Sequence, residues 1–270
     1  MAKHFLGVIT ILTILASCEE VIDVDLNSSD PAFVVEAIIY KDSVCHVHLT
    51  RTTSYFSKEE PVFIEDAKIN ISDGSSSEEL TYTENGYFNG TNIVGTEGRN
   101  YEIEIMHDAM IYKAVSYMPL KPEIISVSFS KSDSPGILNP YGEMVFTIKS
   151  EFIDNPHINN FYMIRFISDG TMLEKYYLLT EDITNSGSLE KSNDTLSFTE
   201  SIFYDGGKVE VQLFSIDESV YNYFMQLNDI LFWKRRVMPP AQYNPASNIN
   251  NGALGYFAAW SYDSEKIILE

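Results

Sequence analysis

The chain of 270 residues reads as an all-β protein, mostly antiparallel, in which a β-sandwich is followed by a second β-rich domain carrying one packed amphipathic helix. Three observations predict this. Short segments rich in Val, Ile, Tyr and Phe alternate apolar with polar residues, the period-two pattern of a strand with one face against a core. Turn signals such as Asn85-Gly86 and Glu97-Gly98 fall between these segments at short intervals, with no helices interleaved, which favours antiparallel sheets. Helical periodicity is confined to one stretch near residues 216–234.

The first element is a leader. Lys3 and His4 precede an apolar run from Phe5 to Leu15 that only Gly7, Thr10 and Thr13 interrupt. A spanning helix needs roughly twenty apolar residues, so this shorter run matches the central segment of a signal peptide. The residues Leu15-Ala16-Ser17-Cys18 resemble a bacterial lipobox. The resemblance implies cleavage of residues 1–17 and acylation of Cys18, giving a protein anchored to the outer membrane through its N-terminal lipid. Several acyl chains, at about 0.8 kcal/mol per buried methylene, make such attachment stable. Glu19, Glu20, Asp23 and Asp25 then open an acidic tether over 18–31. Glu19 and Glu20 resemble the export signal that sends Bacteroidetes lipoproteins to the cell surface.

Cysteine usage agrees with this reading. Cys18 and Cys45 are the chain's two cysteines, and lipidation of the first leaves the second unpaired, so no disulfide framework is expected. The formal net charge is −21. Such a field disfavours nucleic acid and anionic headgroups as partners.

From Phe33 onward the strands follow one another: 33–40, 45–52, 67–73, 79–83, 100–106 and 111–117, all within an expected first domain over 32–118. The order Ala67-Lys68-Ile69-Asn70-Ile71-Ser72-Asp73, then Gly86-Tyr87-Phe88, then Tyr101-Glu102-Ile103-Glu104-Ile105 resembles immunoglobulin-like or carboxypeptidase-regulatory-like modules. The stretch 117–126, with Pro119 and Pro122, reads as a linker. The second domain, 119–270, continues with strands at 124–130, 143–152, 161–168, 175–181, 196–203 and 208–215. Ser215 and Glu218 have capping-box spacing, and Val220, Phe224, Leu227 and Leu231 recur on one helical face. Lys234, Arg235 and Arg236 complement the helix C-terminus, and Pro239-Pro240 end it. The segments 252–262 and 266–270 read as a final strand pair.

Few residues point to chemistry. His46 and His48, one residue apart, share a strand face and are the weak candidates for a metal site; the alternative is a polar outer face with Cys45, Val47 and Leu49 turned into the core. The sequence holds no P-loop, no Gly-x-Ser-x-Gly nucleophile elbow and no dinucleotide-binding glycine pattern. A non-enzymatic protein without a cofactor is therefore expected. Tyr256, Phe257 and Trp260 are candidates for packing on the helix or for contacting a ligand or partner.

Several landmarks resemble one family. They include the Cys18 region, Phe33–Tyr40, His48–Phe56, Asp217–Asn228 and above all the block Asn244–Ser261, with Asn248, Asn250, Gly252, Gly255, Tyr256 and Phe257. The chain resembles the DUF4249 family of Bacteroidetes lipoproteins over nearly its whole mature length. The resemblance implies a cell-envelope setting beside TonB-dependent outer-membrane β-barrel transporters, with an unknown ligand and an accessory role in nutrient uptake. A free-standing surface adhesion or glycan-binding module is the alternative.

Overall fold

The computed structural model describes residues 31–53, 62–131, 144–154, 160–180, 184, 187–204, 207–233 and 243–269. Cys18, Glu19, Glu20, the tether, Lys234–Arg236 and Pro239-Pro240 lie outside them. Residues 31–270 form one compact unit. Its strands in chain order are β1 (Phe33–Tyr40), β2 (Val44–Arg51), β3 (Val62–Phe63), β4 (Lys68–Ser72), β5 (Ser77–Glu79), β6 (Thr81–Tyr82), β7 (Tyr87–Val94), β8 (Asn100–His107) and β9 (Met110–Tyr117). They continue as β10 (Glu123–Lys131), β11 (Met144–Ile153), β12 (Phe161–Ser168), β13 (Thr171–Leu179), β14 (Ser188–Ser192), β15 (Thr195–Tyr204) and β16 (Gly207–Ile216). Helix α1 (Glu218–Trp233) and β17 (Leu254–Leu269) complete the described chain.

Among the described residues the fold is all-β with a single helix, as the sequence pattern predicts. One nine-stranded sheet runs β13-β12-β16-β17-β1-β2-β7-β6, with β3 paired to β2. Two four-stranded sheets, β5-β4-β8-β9 and β10-β11-β15-β14, complete the described architecture. The first encloses a core with β1, β2 and β7 through Val35, Ile39, Leu49, Ile69, Phe88 and Ile103. The second encloses a core with β12, β13 and β16 through Phe146, Phe152, Ile164, Phe166, Phe198 and Val211. Two sandwiches therefore share one large sheet.

The strand common to both is β17. Instead of the expected pair of strands, residues 254–269 are one strand of 16 residues. Its first half pairs parallel with β1, from Val34↔Leu254 to Tyr40↔Trp260. Its second half pairs antiparallel with β16, from Ser215↔Ser261 to Gly207↔Leu269. The polar run Asp263-Ser264-Glu265-Lys266 separates the two apolar runs in the sequence, but it lies within the half paired with β16, just beyond the change of partner. Alternate residues divide between faces: Phe257 and Ala259 enter the first core and Leu269 the second, while Tyr256, Ala258 and Trp260 face the helix.

Helix α1 covers that opposite face. Val220, Tyr221 and Phe224 are buried against Met163, Phe214 and Trp260. Asn228 is buried while Leu231 is exposed, so the buried stripe runs 220-221-224-228 and Leu231 falls off it. The cap also differs from the capping-box expectation. Ser215 is still in β16, paired with Ser261, and Asp217 is the N-cap: its Oδ1 accepts the Val220 N–H at 2.9 Å and the Ser219 hydroxyl at 2.6 Å.

The staggered pairing of β17 leaves the other edge of its first half without a strand neighbour, and side chains supply the missing partners. Asn248 Nδ2 donates to the Phe257 carbonyl at 2.7 Å and its Oδ1 accepts the Phe257 N–H at 2.9 Å. Ser116 Oγ accepts the Ala259 N–H at 2.8 Å and donates to Asp217 Oδ2. A buried backbone group left unpaired would be costly, so these two residues are what permits the switch of partners. Asn250 acts likewise on the outer edge of β9: its Oδ1 accepts the Lys113 N–H at 2.7 Å and its own N–H donates to the Lys113 carbonyl at 3.0 Å.

The backbone of Gly255 has φ +92°, and a Cβ added there would lie 1.9 Å from the Val35 carbonyl oxygen. Gly252 also has positive φ, +78°, but open space around it. Gly255→Ala is therefore expected to destabilise by about 3 kcal/mol or more through strain plus clash, against about 1 kcal/mol for Gly252→Ala through strain alone. Urea unfolding of the two variants separates them, and equal losses would refute the close-packing argument.

Candidate functional site

A cleft of about 690 Å³ opens on the helix-bearing face of the large sheet, where β1 stops and β17 changes partner. Its rim is the β1–β2 turn, Lys41-Asp42-Ser43, and the turn is firmly held. Lys41 N–H donates to the Trp260 carbonyl at 3.0 Å, Asp42 N–H to the Gly95 carbonyl at 2.9 Å, and Gly95 N–H to the Ser43 carbonyl at 2.9 Å. Gly95 is required by close approach, since a Cβ there would sit 2.1 Å from the Tyr40 carbonyl oxygen.

The floor is built from strand side chains. Arg165 of β12 and Gln212 of β16 are register neighbours on the same face. Phe214 and Tyr262 face each other across β16 and β17, with ring centroids 5.2 Å apart. Tyr40 at the end of β1 stacks on Trp260 at 5.6 Å. The Arg165 guanidinium lies over Trp260 at 5.1 Å and over Phe214 at 5.3 Å, which fixes its plane by cation–π attraction.

The charges are unevenly matched. Lys41 pairs with Asp42, and Lys121 Nζ lies 2.7 Å from Asp263 Oδ1. Among the described residues Arg165 has no carboxylate partner within ion-pair distance. Burial pushes the Tyr40 hydroxyl above its ordinary value, and the adjacent Arg165 guanidinium pulls part of that rise back. Tyr40 is thus protonated near neutrality and offers a donor. Burial also pushes the Asp263 carboxyl up, but the Lys121 ammonium and the Ile124 N–H outweigh it and hold the group below the usual carboxylate range.

The lining combines charge, ring faces and hydrogen-bonding groups. Among the described residues it contains no histidine and no cysteine, and both of its carboxylates are engaged by lysines. What it offers is an oriented cation, aromatic faces and the polar ends of Gln212, Ser43 and Ser264.

The residues singled out from sequence are dispersed. His46 Nδ1 lies 2.6 Å from Asn89 Oδ1, and His48 stacks on Tyr87 at 4.1 Å with its Nδ1 3.3 Å from Glu36 Oε2. Among the described residues no three His, Cys, Asp or Glu side chains come together as cation ligands. Cys45 is fully buried on the other face, where burial pushes its thiol far up and keeps it protonated. Tyr256 and Trp260 are buried under α1, whereas Phe257 points the other way into the first core; period two forbids all three from sharing a face. Trp260 reaches the site indirectly, as the platform under Arg165.

Sequence reasoning missed Arg165, Gln212, Tyr40 and Tyr262. One signal was present: in Phe161-Tyr162-Met163-Ile164-Arg165-Phe166-Ile167 an arginine interrupts an otherwise apolar strand. A charged residue there needs a reason.

Because the folded Asp263 carboxyl titrates below its unfolded value of about 3.9, its stabilisation is present above that pH and is lost as pH falls through the folded value. Lys121→Met is expected to lower stability at pH 7 by about 0.5–1 kcal/mol, a modest figure because the pair is part exposed. The difference from wild type should vanish once Asp263 is protonated. Urea titrations at pH 7 and at about pH 2 check this, and a deficit that persists in acid would show the lysine acting through packing instead.

A solved structure described as "Cytokine receptor complex - Crystal form 1A" aligns with 86% of this chain and 94% of its own at 8% identity and a TM-score of 0.27, a likeness too slight to carry an argument. The comparison with curated proteins finds no match. A family model described as "Domain of unknown function (DUF4249)" matches residues 19–266, nearly the whole chain after Cys18, and the protein therefore belongs to the DUF4249 family.

Proposed function

We propose that the protein is a cell-envelope lipoprotein that binds a ligand without transforming it, as an accessory partner of a TonB-dependent outer-membrane transporter in nutrient uptake. The observation that carries the binding role is the cleft, where the Arg165 guanidinium is held on two aromatic rings and, among the described residues, is paired with no carboxylate. The location rests on Leu15-Ala16-Ser17-Cys18 and on the acids that follow, Glu19 and Glu20 among them. The family match begins at residue 19, next to that cysteine. No helix among the described residues is long and apolar enough to cross a membrane; attachment through acyl chains on Cys18 rests on the lipobox resemblance. Tethering to the membrane that holds the transporter raises the effective concentration of the pair without any new contact.

A second reading is a free-standing adhesion or glycan-binding module. Tyr262, 38% exposed at the cleft, favours it, because an accessible ring suits sugar contact.

Two measurements decide. Cys18→Ala is expected to move the protein from the detergent-extracted membrane fraction to the soluble fraction. Affinity purification from membranes is expected to recover a β-barrel partner; recovery of the lipoprotein alone would overturn the transporter role and favour the free-standing module.

A further inference from the structure

We infer that the cleft accepts a small hydroxylated monocarboxylate, of the sugar-acid class, with Arg165 as the group that grips its carboxylate. The inference rests on the reading of the molecule as a binding protein and adds the chemistry of its ligand.

The charge balance comes first. The chain has 39 acidic side chains against 18 lysines and arginines, so a cation here is surrounded by candidate partners. Lys41 and Lys121, at the same cleft, each take one. Among the described residues Arg165 has no such partner, although it is half-buried. Its setting is two aromatic faces rather than a carboxylate. A guanidinium is weakly hydrated and tolerates such a setting, and it presents a planar fork that fits a carboxylate with two parallel hydrogen bonds.

The same balance sets the ligand's charge. With Lys41 cancelled by Asp42 and Lys121 by Asp263, one positive charge remains. A monoanion neutralises it. A phosphate dianion would leave excess negative charge inside a protein that already carries −21, an unfavourable arrangement at short range. The charge match therefore favours a carboxylate over a phosphate.

The remaining lining sets the ligand's body. Ser43, Ser264, the protonated Tyr40 and the amide oxygen of Gln212, whose Nε2 donates to Glu210 Oε1 at 2.9 Å, offer hydrogen bonds suited to hydroxyls, and the exposed ring of Tyr262 offers a flat apolar face. A pyranose has both characters, polar at its rim and apolar on its C–H face. The volume of about 690 Å³ lies within the usual range for small-molecule sites. Because the rings beneath Arg165 already orient it, little of the binding energy is lost to ordering the side chain.

The test is calorimetric titration of the detergent-solubilised full-length mature protein with galacturonate, glucuronate and gluconate, beside galactose as the neutral control and galactose 6-phosphate as the dianion. At least one sugar acid is expected to bind about tenfold or more tightly than galactose, and Arg165→Gln is expected to remove that advantage while Arg165→Lys keeps only part of it. If Arg165→Gln fails to fold, as judged by circular dichroism, Tyr262→Ala and Gln212→Ala serve instead, each weakening the acid without unfolding the chain. Galactose binding as tightly as the acids, or galactose 6-phosphate binding tighter and still depending on Arg165, would overturn the ligand class while leaving a binding protein in place. No binding of any sugar acid up to about 10 mM would overturn the proposal outright; the membrane purification above tests the accessory role independently of this result.

Discussion

The architecture depends on one strand having two partners on opposite edges. β17 serves β1 along its first seven residues and β16 along the rest. In a strand, the N–H and C=O of alternate residues point to opposite sides, so each half leaves one set without a ladder. An unfilled edge in the middle of a protein would cost far more than a surface one. Asn248 and Ser116 meet this requirement with three side-chain atoms, Nδ2, Oδ1 and Oγ, and Asp217 holds Ser116 in place while it caps the helix. Two sandwiches and a helix are thereby tied to a single stretch of backbone.

The cleft is a consequence of that arrangement. Where β1 ends at Tyr40, the second half of β17 continues without it, and the floor of β12 and β16 is left uncovered beyond the helix. The segment between the sandwiches crosses the other face at the same level. Its Pro119 carbonyl accepts the Ser261 hydroxyl at 2.9 Å, and the Ile124 N–H donates to Asp263 at 3.0 Å. The linker seen in sequence is bolted to β17 at the point of the switch, and its Lys121 reaches the cleft. The first core draws on residues 33–118 and on 249–259, so the two halves of the chain are interlocked even though their cores are separate.

Period two made most of the fold legible, because a half-buried strand writes its burial into the sequence. Phe33–Tyr40 and Phe161–Ser168 have the expected bounds, and Cys45, Val47 and Leu49 face inward with His46 and His48 on the other side. The misreadings share a cause. β17 looked like two strands because its middle is polar, and that polarity reflects tertiary contacts with the linker and the cleft. Ser215 looked like a cap because its spacing to Glu218 is right, yet β16 needed it for pairing. The site was illegible for the same reason: Arg165, Tyr40 and Tyr262 lie on three strands far apart in sequence, joined only by the pairing of β12, β16, β17 and β1.

The block that marks the family is occupied with structure. Asn248 completes an edge, Asn250 seals β9, Gly255 lets β17 approach Val35, and Phe257 fills the first core. None of these is free to choose a ligand. Membership of the family therefore speaks for the scaffold, and on the proposed reading specificity comes from side chains the scaffold does not need. Gln212 and the exposed ring of Tyr262 meet that description, since the sheet would pair without them. Arg165 meets it in a different way: a Met or Leu at that position would pack on Trp260 and Phe214 without leaving a charge unanswered. What the guanidinium adds to such packing is its hold on the two rings and, on the proposed reading, a grip on the ligand.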